Sequence, residues 1–257
     1  MSLGPLVNRG IVITRPREHA LSLAELIRSA GGNPVLFPTI EILPVENREA
    51  VSNLIAGLEN FHLAIFVSPT AVLRGLELVN ASRAWPGDLR VAAVGGGTAR
   101  ALEERGFAAV IAPTAQADSE ALAALPELRD LRGRPVVIFR GQGGRESLRA
   151  LLEARGARVA YAECYRRTRP AQDPGPLLAL WQRGAIDAVS ISSAEGLQNF
   201  LDILGPAGRA YLLATPVFVP HPQIARAAER LGVKRIVLTG HGDDQTVAEM
   251  AAFFARV

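Results

Sequence analysis

Internal repetition constrains this chain more than any other feature. Gly10 to Pro16 reads GIVITRP and Pro135 to Gly141 reads PVVIFRG, each an apolar run closed by arginine, which pairs Arg15 with Arg140 at an offset of 125. Each run leads into an amphipathic segment ending in glycine, LAELIRSAGG from Leu23 and LRALLEARGA from Leu148. AIFVSPTAV from Ala64 matches AVSISSAEG from Ala188, pairing Ser68 with Ser192 at an offset of 124. TARALEERG from Thr98 matches IARAAERLG from Ile224 at an offset of 126. Segments recurring at one near-constant spacing mark a duplicated unit of about 125 residues.

Within each copy, β-branched runs of about four or five residues alternate with helical stretches, the pattern of parallel α/β units. Strands are expected near 10–14, 34–37, 63–67, 90–94, 108–111, 135–139, 157–161, 187–191, 216–219 and 234–238, five for each of two layered domains. Gly31, Gly106, Gly156 and Gly232 are placed to give left-handed helix exits. PTIEILP (38–44) and ECYRRTRP (163–170) are proline-bounded, extended and again 125 apart, so no helix runs through them. The expected architecture is therefore α/β: two similar flavodoxin-like or Rossmann-like parallel-sheet domains joined by a two-stranded linker. One domain would combine residues 1–38 with 169–257, the other would hold 45–162, and 39–44 and 163–168 would pair as linker strands. A cleft between two such domains would be lined by strand-end loops.

Composition narrows the function classes. Of the 257 residues 49% are hydrophobic and 21% charged, which excludes a disordered chain and leaves room for one large or two medium cores. A single cysteine, Cys164, excludes a disulfide framework and a multi-thiolate metal site. The opening residues lack a signal-peptide core, and the longest uncharged stretch, 210–225, contains three prolines and is too short to span a bilayer. A soluble cytoplasmic protein without membrane association is expected. Net charge is +3, and 27 of the 28 basic residues are arginine. Base composition of the genome would account for that choice, as would an anionic ligand gripped by planar guanidinium forks. The arginines are scattered, and aromatics make up only 5%, which argues against a nucleic-acid surface.

The motifs point the same way by elimination. VGGGTARA (94–101) carries Arg100 where a dinucleotide fingerprint needs glycine or alanine, and no acidic residue follows to hold a ribose. What remains at Gly95, Gly97 and Thr98 is a glycine turn feeding a helix start, suited to an anion or simply to a tight connection. RGQGGR (140–145) is a second glycine turn, flanked by arginines but without a Walker pattern. Ser68, Ser192 and Ser193 stand at strand ends before helices, where N-capping is the plain alternative to ligand binding. No G-x-S-x-G elbow is present. His19, His62, His221 and His241 form no helical pair, so no metal site is expected. Tyr165 stands beside Arg166, Arg167 and Arg169 in the second linker segment.

These segments together resemble the uroporphyrinogen-III synthase family. The likeness is carried by ITRP at Ile13, PTIEILP, FVSPTAV at Phe66, AAVGGGTARALEERG at Ala92, CYRRT at Cys164 and SISSAEG at Ser190, spread over nearly the whole chain. It departs where the family's second Gly-x-x-Thr turn would stand: His221, Pro222, Gln223 and Ile224 occupy that loop. The resemblance implies a cofactor-independent lyase that cyclises hydroxymethylbilane, a linear tetrapyrrole with eight carboxylates, into uroporphyrinogen III with inversion of the last ring. The family's linker tyrosine matches Tyr165, implying a donor to the departing hydroxyl. Arg15, Ser68, Gly95, Gly97, Thr98, Arg140, Ser192, Ser193 and His221 are the residues expected to bind substrate, and a monomer is expected. The alternative from a different class is a two-domain α/β module that binds an anion or a sugar without catalysis.

Overall fold

A computed structural model describes residues 4–114, 118–144, 146–240 and 242–256. Eleven strands run through these residues: β1 Gly10–Ile13, β2 Asn33–Leu36, β3 Glu41–Leu43, β4 Leu63–Phe66, β5 Arg90–Ala93, β6 Val110–Ile111, β7 Pro135–Gly141, β8 Arg158–Thr168, β9 Ala188–Ser190, β10 Val217–Val219 and β11 Ile236–Leu238. They form two sheets, one ordered β11-β10-β9-β1-β2 and the other β3-β8-β7-β4-β5-β6. The chain divides into two compact units, Met1–Glu41 with Thr168–Val257, and Ile42–Arg167.

The first sheet and strands β8-β7-β4-β5-β6 of the second are parallel ladders, with Ile11 opposite Pro34 and Ala188 in the first and Ile65 opposite Ala92 and Ile138 in the second. Such a sheet needs cover on both faces, and the central strands satisfy this: every residue of β1 and of β4 is buried. Alternation sorts those residues. Ala64 and Phe66 point into one core with Val137, Phe139, Leu76 and Val79, while Leu63 and Ile65 point into the other with Val136, Ile138, Leu122 and Leu152. In the first sheet Val12 faces Phe200 and Leu197, whereas Ile11 and Ile13 face Leu23 and Ile27.

The ten expected strands are present, and the four glycine exits have positive φ values of 89°, 90°, 83° and 92° at Gly31, Gly106, Gly156 and Gly232. Two expectations need correction. The second sheet has six strands because Glu41–Leu43 adds β3 beside β8. Residues 157–161 and the segment from Glu163 are also one continuous strand, β8, of 11 residues. Nothing in AECYRRT interrupts extended backbone, and the first proline arrives only at Pro170.

Candidate functional site

Parallel strands expose their carboxyl ends along one edge, where loops can present polar groups to a common space. In the second unit, β4 ends at Phe66 and the chain turns at Ser68 into the helix Pro69–Asn80. Ser68 is extended, with φ −162°, and its Oγ accepts the Ala71 N–H at 3.1 Å, so it caps the helix while Pro69 fills the first position without losing a needed donor. The same Oγ lies 3.2 Å from Oη of Tyr165.

Tyr165 comes from the far end of β8, and a bulge sets its position. The β7–β8 register runs evenly to Arg140 opposite Glu163, then shifts so that Gly141 faces Tyr165 and Cys164 is the extra residue. The Gln142 N–H donates to the Tyr165 carbonyl at 2.8 Å. Gly141 leaves room for the ring: a Cβ there would lie 2.7 Å from Cε2 and 2.8 Å from Cζ of Tyr165. Ser68, Arg140, Gly141 and Tyr165 line one cavity of about 290 Å³ with Tyr161 and Arg167.

Arg140 is 3% exposed, and a buried guanidinium must be paired. Its Nη1 donates to Glu146 Oε1 at 3.0 Å and its Nε to the Gly141 carbonyl at 3.2 Å, and the group lies 4.2 Å over the Tyr161 ring. Tyr161 Oη donates to the other Glu146 oxygen at 2.7 Å. That bond, then the Arg140 interaction, holds the Glu146 carboxyl below its ordinary range. Burial, then the same hydrogen bond, pushes the Tyr161 phenol up to about 12. Cys164 is inert by comparison, its thiol pushed up to about 12 by burial and bonded to the Ala162 carbonyl at 3.1 Å. Sequence reasoning missed Glu146, Tyr161 and Gly141; only the glycine left a trace, as the residue that follows Arg140 at the end of an apolar run.

The glycine turn differs from expectation. Its helix begins at Gly96, capped by Gly95, and the N–H groups of Thr98 and Ala99 already donate to the Gly95 carbonyl at 3.0 Å. Thr98 is buried, while Gly96 and Gly97 are exposed. Thr98 is thus not among the open donors of this turn, because the helix starts two residues earlier and its first N–H groups are those of Gly96 and Gly97. This loop follows β5, the neighbour of β4, but only Val94 of it reaches the cavity wall.

In the first unit, Arg15, Ser192 with Ser193, and His221 follow the carboxyl ends of the adjacent strands β1, β9 and β10. Arg15 pairs with Asp243 through Nη1, and its Nε is buried with no hydrogen-bond partner. Ser193 Oγ accepts the Gly196 N–H at 2.9 Å, capping the helix Ala194–Ala214, and Ser192 is half-buried beside it. His221 does the same for the helix Pro222–Leu231: its Nδ1 accepts the Gln223 N–H at 3.1 Å, so a ring nitrogen replaces the usual hydroxyl cap. Arg145 and His241 lie outside the described residues. Among the described residues no three His, Cys, Asp or Glu side chains converge as metal ligands, and no helix is long and apolar enough to cross a membrane.

Comparison with known proteins identifies the family. The family model for uroporphyrinogen-III synthase HemD matches residues 22–245. Uroporphyrinogen-III synthase of Escherichia coli is 30% identical over 239 residues, 92% of this chain and 97% of that one. The Synechococcus elongatus enzyme is 26% identical over 207 residues, 79% of this chain and 78% of its own. Among solved structures, a mutant uroporphyrinogen III synthase from Thermus thermophilus superposes with a TM-score of 0.63 at 21% identity, over 97% of this chain and all of that one. The Helicobacter pylori synthetase gives 0.59 at 14% identity over 95% and 99%, a likeness of fold alone. On the reach of the family match and the near full-length identity to the E. coli enzyme, the chain belongs to the uroporphyrinogen-III synthase family.

Proposed function

We propose that this chain converts hydroxymethylbilane to uroporphyrinogen III, with Tyr165 as proton donor to the departing hydroxyl. The C–O bond of the terminal hydroxymethyl breaks, the oxygen leaves as water, and the substituted carbon of the last pyrrole attacks the carbon left behind. The resulting spiro intermediate reopens and recloses with that ring inverted. Tyr165 and Ser68 carry the first step. Ser68 Oγ accepts the helix N–H of Ala71, and it can still donate its own hydrogen 3.2 Å away to Tyr165 Oη. That leaves the phenol hydrogen free to point into the cavity, where a leaving oxygen would receive it. A phenol held by a capped helix needs little reorganisation as the C–O bond stretches.

Positioning does the rest, since eight carboxylates offer many handles for fixing the curvature of four linked rings. Gly95, Gly97 and Thr98 at the turn after β5, together with Arg15, Ser192, Ser193 and His221, are the proposed carboxylate contacts, and Arg140 is the buried cation of the cavity wall. The reading needs no cofactor. It has the chain act as a cytoplasmic monomer on a small molecule, with domains 1–38 plus 169–257 and 45–162 and linker strands 39–44 and 163–168. The test is a coupled assay that supplies porphobilinogen and a deaminase, oxidises the products and separates the porphyrin isomers. Isomer III above the deaminase-only control supports the reading, and an unchanged isomer ratio overturns it.

A further inference from the structure

We infer that Arg140 is a positioning residue for Tyr165, its guanidinium locking the bulge that carries the phenol while Glu146 and Tyr161 hold that guanidinium in place. The inference rests on the role proposed for Tyr165. Its starting point is burial: a side chain 3% exposed is poorly placed to lend a free fork to a substrate, yet well placed to fix its surroundings. Nε donates to the Gly141 carbonyl at 3.2 Å. That carbonyl belongs to the Gly141–Gln142 peptide, whose N–H donates to the Tyr165 carbonyl at 2.8 Å, immediately past the shifted pair of Gly141 with Tyr165. Gly141 is also the residue against which the Tyr165 ring rests, since a Cβ there would lie 2.7 Å from it. Arg140 therefore braces the point where strand register turns into the position of the phenol.

Two partners hold the brace. Tyr161 precedes Tyr165 on the same strand and offers its ring as a platform 4.2 Å below the guanidinium. Its hydroxyl reaches one Glu146 oxygen at 2.7 Å while Arg140 holds the other at 3.0 Å, so an otherwise exposed carboxylate is fixed at both ends. Lysine would not substitute. An ammonium is a point charge without the planar face that stacks on Tyr161 or the fork that reaches Gly141 and Glu146 together.

The test measures kcat and KM for isomer III formation, with thermal stability, in Arg140→Lys, Tyr161→Phe, Tyr165→Phe and the two doubles with Tyr165→Phe. Arg140→Lys is expected to lower kcat by about tenfold or more, with KM within about twofold, because a misplaced donor affects chemistry more than binding. Tyr161→Phe keeps the ring and removes the Glu146 bond, so a loss of about two- to tenfold in kcat is expected. The decisive reading is the cycle. Arg140→Lys should cost about tenfold or more in the parent but no more than about threefold in the Tyr165→Phe background, since Arg140 acts through a phenol that this variant lacks. Multiplicative losses would overturn the inference, as would an Arg140→Lys variant that raises KM with kcat intact, the mark of a direct carboxylate ligand. If Arg140→Lys fails to fold, the Tyr161→Phe cycle decides: its loss in the parent should vanish in the Tyr165→Phe background, and an undiminished loss would overturn the inference. A parent protein that yields only isomer I would instead refute the synthase reading itself, before any variant is compared.

Discussion

Gly141→Ala tests the link between fold and chemistry at one carbon atom. The new Cβ would stand 2.7 Å from Cε2, 2.8 Å from Cζ and 3.2 Å from Cδ2 of Tyr165. Restoring ordinary contact at 3.4 Å requires a shift of about 0.7 Å (3.4 minus 2.7). Gly141 has no positive φ, so the conflict lies with the ring and not with the backbone. The ring has little room to retreat, being 4% exposed within the core that holds Phe66 and Phe139. Overpacking of this kind costs about 1–3 kcal/mol. At about 2–4 °C per kcal/mol for a chain of this length, Tm should fall by roughly 2–12 °C. The larger effect falls on turnover. A displacement approaching an ångström breaks a 3.2 Å contact with Ser68 and moves the donor off its target, for a loss of roughly 10- to 100-fold. The assay is isomer III formation beside a thermal melt, with Gly87→Ala as control because nothing lies within 4 Å of a Cβ at that exposed site. A Gly141→Ala protein with parental turnover would refute the assignment of the phenol to catalysis, the packing that positions it, or both.

Two further outcomes are expected. Tyr165→Phe keeps the ring and removes one oxygen, so Tm should hold to within a few degrees while isomer III turnover drops about 10- to 1000-fold; full activity would end any catalytic role for this phenol. Burial pushes the Cys164 thiol up from 9.0 to about 12, so the folded chain keeps that proton to higher pH than the unfolded chain does. The stability at stake is intact below about pH 9 and declines as pH rises toward 12. Urea midpoints followed through that window should fall less steeply in Cys164→Ala than in the parent, and parallel curves would contradict the assignment.

Much of the fold can be read from local pattern because burial on both sheet faces leaves uninterrupted apolar runs such as IVI at Ile11 and LAIF at Leu63. Helix exits are equally legible, since left-handed backbone at Gly156 or Gly232 favours glycine. The extent of β8 is not, because its last residues are polar and its pairing, not its composition, makes it a strand. The site divides along the same line. Ser68 announces itself as a cap by its place before Pro69, and His221 stands in the equivalent position before Pro222. The Arg140, Glu146 and Tyr161 cluster draws on a strand, a helix start and a second strand, so no spacing rule connects its members. The sequence marks Arg140 as a cation at a strand end and says nothing of the carboxylate that holds it.

The central claim is the identity of the product, because hydroxymethylbilane closes unaided without ring inversion and its disappearance alone proves nothing. The direct measurement supplies hydroxymethylbilane to purified protein with chelator present and no metal, nucleotide or flavin added, then separates the oxidised porphyrin isomers across a series of protein concentrations. The isomer III fraction is expected to rise with protein until it dominates. Isomer I alone at saturating folded protein would contradict that claim.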